Sequence, residues 1–309
     1  FLRVLGEFLT LTKQSEVSFE RMQGLLNCSA REMVAHRPLY LPTVRGRQPS
    51  LPRLRSWPQP SRLQSLTAQN LTYHYPGTRC GITDISLQIQ RGRLTVITGP
   101  VGSGKSTLLR VLLGLLPLQT GTLAWNGQAI EHPANFLIPP RVAYTPQVPH
   151  LFSSTLRDNI LLGMDCSDAE VMAAIALAAL DSDLAALPEG LDTPIGANGM
   201  HLSGGQAQRT AAARMLVRQS ELLVFDDLSS ALDVETEKIL WSRLLANAST
   251  SADHSSQTYL IVSHRPNVLE QADQIIVLDC GHVEFKGQFQ DLPRNYFHRS
   301  HARTNVPPD

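Results

Sequence analysis

"RLTVITGPVGSGKSTLLRVLLGLL", Arg93 to Leu116, holds three patterns in succession. "RLTVIT" is short, apolar and β-branched, as a strand buried on both faces reads. "GPVGSGKST", Gly99 to Thr107, fits G-x-x-x-x-G-K-[ST], and "TLLRVLLGLL" reads as a helix. In such a loop the glycines let successive backbone N–H groups turn inward onto phosphate oxygens. Lys105 supplies a cation to the β- and γ-phosphates, Ser106 can ligate Mg²⁺, and the helix N-terminus adds its dipole. With a strand before it and a helix after it, the motif is more than a glycine-rich turn. Gly99, Pro100, Val101, Gly102, Ser103, Gly104, Lys105, Ser106 and Thr107 form the first group of candidate binding residues.

Outward from this stretch, "ELLVFDD", "QTYLIVSH" and "DQIIVLD" are further short apolar runs that alternate with helical ones. They predict an α/β fold around a parallel sheet. A phosphate loop alone leaves kinases, GTPases and many ATPases open. "LLVFDDLSSALD", Leu222 to Asp233, narrows the choice because an apolar strand ends there in two carboxylates. Asp226 stands where a second Mg²⁺-linked carboxylate is needed downstream of such a loop. Asp227 either polarises an attacking water or begins a turn, and both readings stand. "LSGGQ", Leu202 to Gln206, makes a capping box of Ser203 and Gln206, with Gly204 and Gly205 leaving bare N–H groups at a helix start. That is a second anion site. A nucleotide shared between two chains explains why one chain carries both.

"GPVGSGKST", "YTPQ" with Gln147, "LSGGQ", "LLVFDD", "SALD" and "VSH" with His264 occur in the order seen in ABC-transporter nucleotide-binding domains, which residues 66–292 resemble. The resemblance implies a P-loop NTPase (RecA-like) core with a mostly parallel sheet, an antiparallel β subdomain and an inserted α-helical subdomain at about 148–208. It also implies two domains paired head to tail around two MgATP molecules. Gly99–Thr107 of one domain and Ser203, Gly204, Gly205 and Gln206 of the other would enclose each nucleotide. Ser106, Gln147 and Asp226 become the candidate metal ligands, and Asp227, His264 and Gln147 the candidate catalytic residues, with His264 at the γ-phosphate. Tyr75, in "LTYHYPG", matches the aromatic that stacks on adenine, although strand packing beside Tyr73 is the plainer reading. Asp233 would contact the partner domain and is also placed to cap the helix "VETEKILWSRLL". "SDAEVMAAIALAAL" opens with a capping box at Ser167 and Glu170 and carries packing only.

The flanks differ from this middle. Residues 1–27 space Phe8, Leu11, Phe19, Met22 and Leu26 as an amphipathic helix does. "EVSFERMQGLL", Glu16 to Leu26, looks like the segment that joins the last transmembrane helix to the ATPase domain in exporter-type half-transporters. Residues 28–65 read as a Pro/Arg-rich linker and 293–309 as a tail. Net charge is zero, but residues 1–65 hold ten Lys/Arg against four Asp/Glu. That basic region keeps a rival open, a soluble ABC-type regulator or an ATPase acting on nucleic acid. The transporter reading expects no nucleic acid. No run of eighteen apolar residues occurs, so no complete membrane-spanning helix is expected. The start at Phe1, without Met or a signal-peptide pattern, is expected of a piece of a longer polypeptide whose transmembrane domain is missing. Cys28, Cys80, Cys166 and Cys280 stand far apart with no C-x-x-C spacing, which argues against zinc and disulfides and for reduced thiols. The expected location is the cytoplasmic face of the plasma or inner membrane.

Two positions depart from the family pattern. Asp227 stands where Glu is usual, and Ala197 in "IGANG" where exporters commonly place Glu. Slow hydrolysis at this chain's own site is expected, and with it pairing with a different half-transporter, the alternative being a homodimer that turns over slowly.

Overall fold

The computed structural model describes residues 10, 12–18, 20–21, 62–78, 80–196, 200–228, 232–249 and 257–293. The chain divides into two compact units, Phe1–Gln59 and Pro60–Asp309. In the first, residues 12–18 are helical and exposed, and Lys13 meets Glu16 one turn on at 2.7 Å. The predicted apolar stripe of Phe8, Leu11, Phe19, Met22 and Leu26 lies outside the described residues. So do Cys28, the proline-rich stretch 38–60, Ala197 and residues 294–309.

In the second unit a six-stranded sheet runs in the order β12 (His282–Gly287), β11 (Gln274–Asp279), β3 (Leu94–Thr98), β10 (Thr258–Val262), β9 (Leu222–Asp226), β6 (Val142–Thr145). All neighbours are parallel except the edge pair β11–β12. Period-2 alternation divides the strands between two cores. Leu222, Val224, Leu260 and Val262 face one core, which also holds Leu108 and Leu112 of α1 (Lys105–Leu112). Leu223, Phe225, Tyr259 and Ile261 face the other. That core includes Ala212 and Met215 of α6 (Gly204–Leu216) and Leu240 and Trp241 of α7 (Val234–Ser249). Burial on both faces is why these strands read as unbroken apolar runs.

A second, antiparallel sheet has the order β2 (Gly81–Gln90), β1 (Ser65–His74), β4 (Thr120–Trp125), β5 (Gln128–Ala129), and its buried residues Leu66, Leu71, Ile85 and Trp125 join the α1 core. The short helix α2 (Pro133–Phe136) leads into β6. Between β6 and α6 come α3 (Leu156–Leu161), α4 (Asp168–Leu177) and α5 (Asp181–Ala186), with a two-stranded ribbon of β7 (Ser154–Thr155) and β8 (Pro194–Ile195). The mostly parallel core, antiparallel sheet and inserted helices are the architecture expected. Ser167 and Glu170 form the expected capping box at the start of α4. The carbonyl end of α3 is closed by side chains from α6 and its C-terminal extension. Arg214 donates to Asn159 O at 2.7 Å, and Arg218 to Ile160 O at 3.2 Å and Leu161 O at 3.1 Å. A last short helix, α8 (Pro266–Glu270), follows β10. No helix among the described residues is long and apolar enough to cross a membrane.

Candidate active site

Parallel strands end at one edge of a sheet, so the loops that leave them share a crevice. Here Val262 is in register with both Ile97 and Asp226, and Thr145 with Phe225. Gly99, Asp227, His264 and Gln147 therefore leave the sheet at the same end, although the chain reaches them in four separate passages.

The phosphate loop connects β3 to α1. At Gly99, φ is 140° and a Cβ would stand 2.1 Å from Leu278 O, so any side chain is shut out. Gly102 has φ 80° with open space beside it, and there the left-handed backbone alone favours glycine. Gly104 is the N-cap of α1 and makes no side-chain cap, which leaves first-turn N–H groups open to an anion. Lys105 curls over the loop, its Nζ donating to Gly99 O at 2.9 Å and Pro100 O at 2.7 Å. Burial holds this ammonium below its usual range, while Asp227 and Asp226 pull it back up.

Ser106 Oγ donates to Asp226 Oδ1 at 3.0 Å, and Tyr144 Oη to Asp226 Oδ2 at 3.4 Å. Asp226 is 2% exposed. Burial pushes its carboxyl up, and the bonds from Ser106 and Tyr144 pull it down. The Tyr144 phenol is pushed up to about 12, by burial first and by the Asp226 charge second, so it remains a donor. Asp227 turns away from the strand at φ 51° with its N–H on Val262 O at 3.1 Å. Its Oδ2 accepts from Gln147 Nε2 at 3.3 Å. The two adjacent acids thus have different surroundings. Asp226 is the buried end of a strand, and Asp227 occupies a left-handed turn that Asp and Asn tolerate best. A hydroxyl, a carboxylate and an amide oxygen are the hard donors that Mg²⁺ takes, and Lys105 with the bare N–H groups suits a phosphate chain. The residues present fit MgATP.

Ser203 caps α6, its Oγ accepting from Gln206 N at 3.2 Å while Gln206 Oε1 accepts from Ser203 N at 2.9 Å. Gln206 Nε2 also donates to Asp183 Oδ1 at 3.0 Å, and Arg209 pairs with Asp183 Oδ2 at 2.6 Å. Gly204 is exposed and Gly205 buried. Among the described residues no hydrogen bond joins Gly99–Thr107 to Ser203–Gln206. Tyr75 is half-buried, its Oη 3.4 Å from Thr107 Oγ1 and its ring edge-on to Tyr73 at 5.1 Å. It both packs on the strand and borders the phosphate loop. Asp233 caps α7 as expected, accepting from Glu235 N at 3.1 Å and Thr236 N at 2.9 Å. His264 is exposed. Sequence reasoning missed Tyr144 and Asp183. Tyr144 stood inside the quoted "YTPQ", where a polar-tipped residue on a strand end was the available signal. Nothing local marked Asp183.

A phosphate loop on a parallel sheet, with its Ser bonded to a buried strand-end Asp, defines a P-loop nucleoside triphosphatase. Residues 82–230 match the family described as ABC transporter. The chain is 37% identical over 244 residues to the ATP-dependent lipid A-core flippase of Pseudomonas fluorescens, covering 77% of this chain and 39% of the flippase. It is 31% identical over 292 residues to the mitochondrial iron-sulfur clusters transporter ATM1 of Saccharomyces cerevisiae, covering 94% of this chain and 39% of that one. A solved structure of a bacterial Atm1-family ABC exporter with ATP bound superimposes with a TM-score of 0.69 at 34% identity, over 79% of this chain and 43% of that one. The chain carries an ATPase domain of the ABC transporter family, of the exporter type. It spans 39% of the length of either curated relative.

Proposed function

We propose that this chain is the ATP-driven end of an exporter-type half-transporter that works as the slow-site half of a heterodimer. Residues 66–292 form the ATP-binding domain, with a helical subdomain at about 148–208. Residues 1–27 are the end of the transmembrane-domain extension, 28–65 a linker and 293–309 a tail. The domain sits on the cytoplasmic face of the plasma or inner membrane, attached to a transmembrane domain of the same polypeptide. It pairs head to tail with a second ABC ATPase domain and uses no nucleic acid.

The observation that carries this reading is the 3.0 Å bond between Ser106 and Asp226, residues 120 apart in sequence. It puts a hydroxyl and a buried carboxylate beside the lysine of a phosphate loop. Lys105 and the loop N–H groups hold the β- and γ-phosphates of ATP, and Tyr75 stacks on the base. Ser106, Asp226 and Gln147 hold Mg²⁺, which when bound neutralises charge that develops on phosphate oxygens. Tyr144 keeps the Asp226 carboxylate oriented. His264 reaches the γ-phosphate, and Asp227 orients the attacking water. Ser203–Gln206 closes on the nucleotide held by the partner, with bare backbone at Gly204 and Gly205.

Asp227 is one methylene shorter than the Glu usual at its position. A carboxylate about 1 Å out of place can cost roughly 100-fold in rate. The signature stretch is intact, so this chain can complete a partner's fast site while its own site mainly holds ATP. Purification of the native transporter should yield two different half-transporter polypeptides. Asp227→Glu should raise hydrolysis at this chain's site up to about 100-fold. The left-handed backbone at this position should make that variant about 1 kcal/mol less stable. A homodimer with vigorous ATPase activity at an unaltered Asp227 overturns the slow-site reading.

A further inference from the structure

Glu237 lies in the first turn of α7 with its side chain 9% exposed, and its Oε1 stands 3.2 Å from Arg265 Nε. A buried carboxylate is costly unless paired, so this contact is what allows the charge to be there. The two atoms are not aligned as a hydrogen bond. They meet by charge, which tolerates small rotations that an N–H···O line does not. Arg265 directly follows His264 and is the N-cap residue of α8. Its N–H donates to Ser263 Oγ at 3.2 Å, and its carbonyl accepts from Val268 N and Leu269 N at 3.1 Å each. Ser263 N in turn donates to Ile97 O at 3.1 Å, on the strand that leads into the phosphate loop. On the other side, Glu237 N donates to the carbonyl of Asp233, the cap of α7, at 2.9 Å. Among the described residues the imidazole of His264 makes no hydrogen bond or ion pair. Its position therefore follows from the turn that carries it, and the side chain that fastens this turn to α7 is Arg265.

We propose that Glu237 and Arg265 are positioning residues for hydrolysis. Their ion pair sets the His264 turn relative to the start of α7, so that the imidazole's reach toward the γ-phosphate depends on where the Asp233 segment stands. This rests on the reading of His264 given above. Neither residue touches ATP, and both act through His264.

The test uses the full chain in its dimer, with single-turnover hydrolysis of ATP held at this chain's own site. Glu237→Gln and Arg265→Gln should each slow hydrolysis about tenfold with ATP affinity unchanged, as a small misplacement of a reacting group would produce. Arg265→Gln, which leaves the buried carboxylate unpaired, should also lower the thermal midpoint. Arg265→Lys, which keeps the charge, should recover most of the rate. In the nucleotide-free protein, amide hydrogen exchange at residues 263–265 should rise in Glu237→Gln. A His264→Ala variant runs alongside. If it is slow while both Gln variants hydrolyse normally, the positioning proposal falls and the reading of His264 stands. If His264→Ala hydrolyses normally, that reading falls and takes the proposal with it. Rates that fall only in step with ATP affinity reduce the pair to a structural role and overturn the proposal.

Discussion

At Gly104 and at Ser203 a helix begins with little or no side chain over its first N–H groups, yet the two starts are finished differently. The first has no side-chain cap, so its donors are open, and its loop is fastened by backbone. Gly281 N donates to Ser103 O at 3.1 Å, and Gly99 lies so close to Leu278 O that only glycine fits. The second closes on itself through the Ser203–Gln206 capping box and is fastened by side chains, Gln206 and Arg209 on Asp183. An open cradle with a built-in cation can hold an anion unaided. A start whose cap is already satisfied offers only bare backbone and needs the anion brought to it. One start is built to hold an anion within the chain, and the other to meet an anion held elsewhere.

The sharpest way to break this comparison is at Lys105. Its two close bonds to loop carbonyls would pass to phosphate oxygens, and bonds to charged groups are the strong ones. Lys105→Ala should weaken MgATP binding by about 100-fold or more without unfolding the domain, as titration calorimetry and circular dichroism would read. Unchanged affinity removes the phosphate-loop assignment. At the other start, Gly204→Asp adds a charged side chain where backbone must approach phosphate. ATP binding to the monomer should persist and ATP-dependent dimerisation should be lost in size-exclusion chromatography. A normal dimer counts against a shared site.

Smaller effects separate the two modes of fastening. Arg209 and Asp183 have side chains 9% and 18% exposed, so Asp183→Ala leaves a mostly buried guanidinium unpaired. Urea unfolding should show a loss of about 3 kcal/mol with ATP affinity unchanged. A matching loss of affinity would mean that the two helix starts are not independent. The smallest effect is expected at Asp233. Backbone N–H groups at the start of α7 hold its carboxyl below the usual range. A lowered carboxyl stabilises the fold above its unfolded value, about 4, and loses that contribution as pH falls through the folded one. Asp233→Ala should therefore be slightly less stable at neutral pH, and the gap should close on acidification below pH 4. A gap that persists at low pH would show that the cap acts without its charge.

How much was legible differs by residue. The capping boxes at Ser167 and Ser203 were readable because the partner stands three positions away and the geometry is local. The strands of the main sheet were readable because burial on both faces writes a short apolar run. Asp227 was ambiguous between base and turn, and it proves to sit in a turn at φ 51° while also bonding to Gln147. Asp183, Glu237 and Arg265 carried no signal, since each is an ordinary charged residue whose meaning lies in a partner at least 23 residues away, as Gln206 is from Asp183.

The sequence by itself determined the chemistry that a short window can hold. A left-handed turn needs glycine, a helix start needs a cap, and a phosphate needs a cation with bare N–H groups. The tertiary structure decided which of these groups meet. Ser106 and Tyr144 converge on Asp226, and Gln147 on Asp227, only because β3, β10, β9 and β6 lie side by side in parallel and end at one edge. Strand order is set by how long crossovers pack their helices on the two faces of the sheet. Local periodicity, which repeats within a few residues, carries no record of that order.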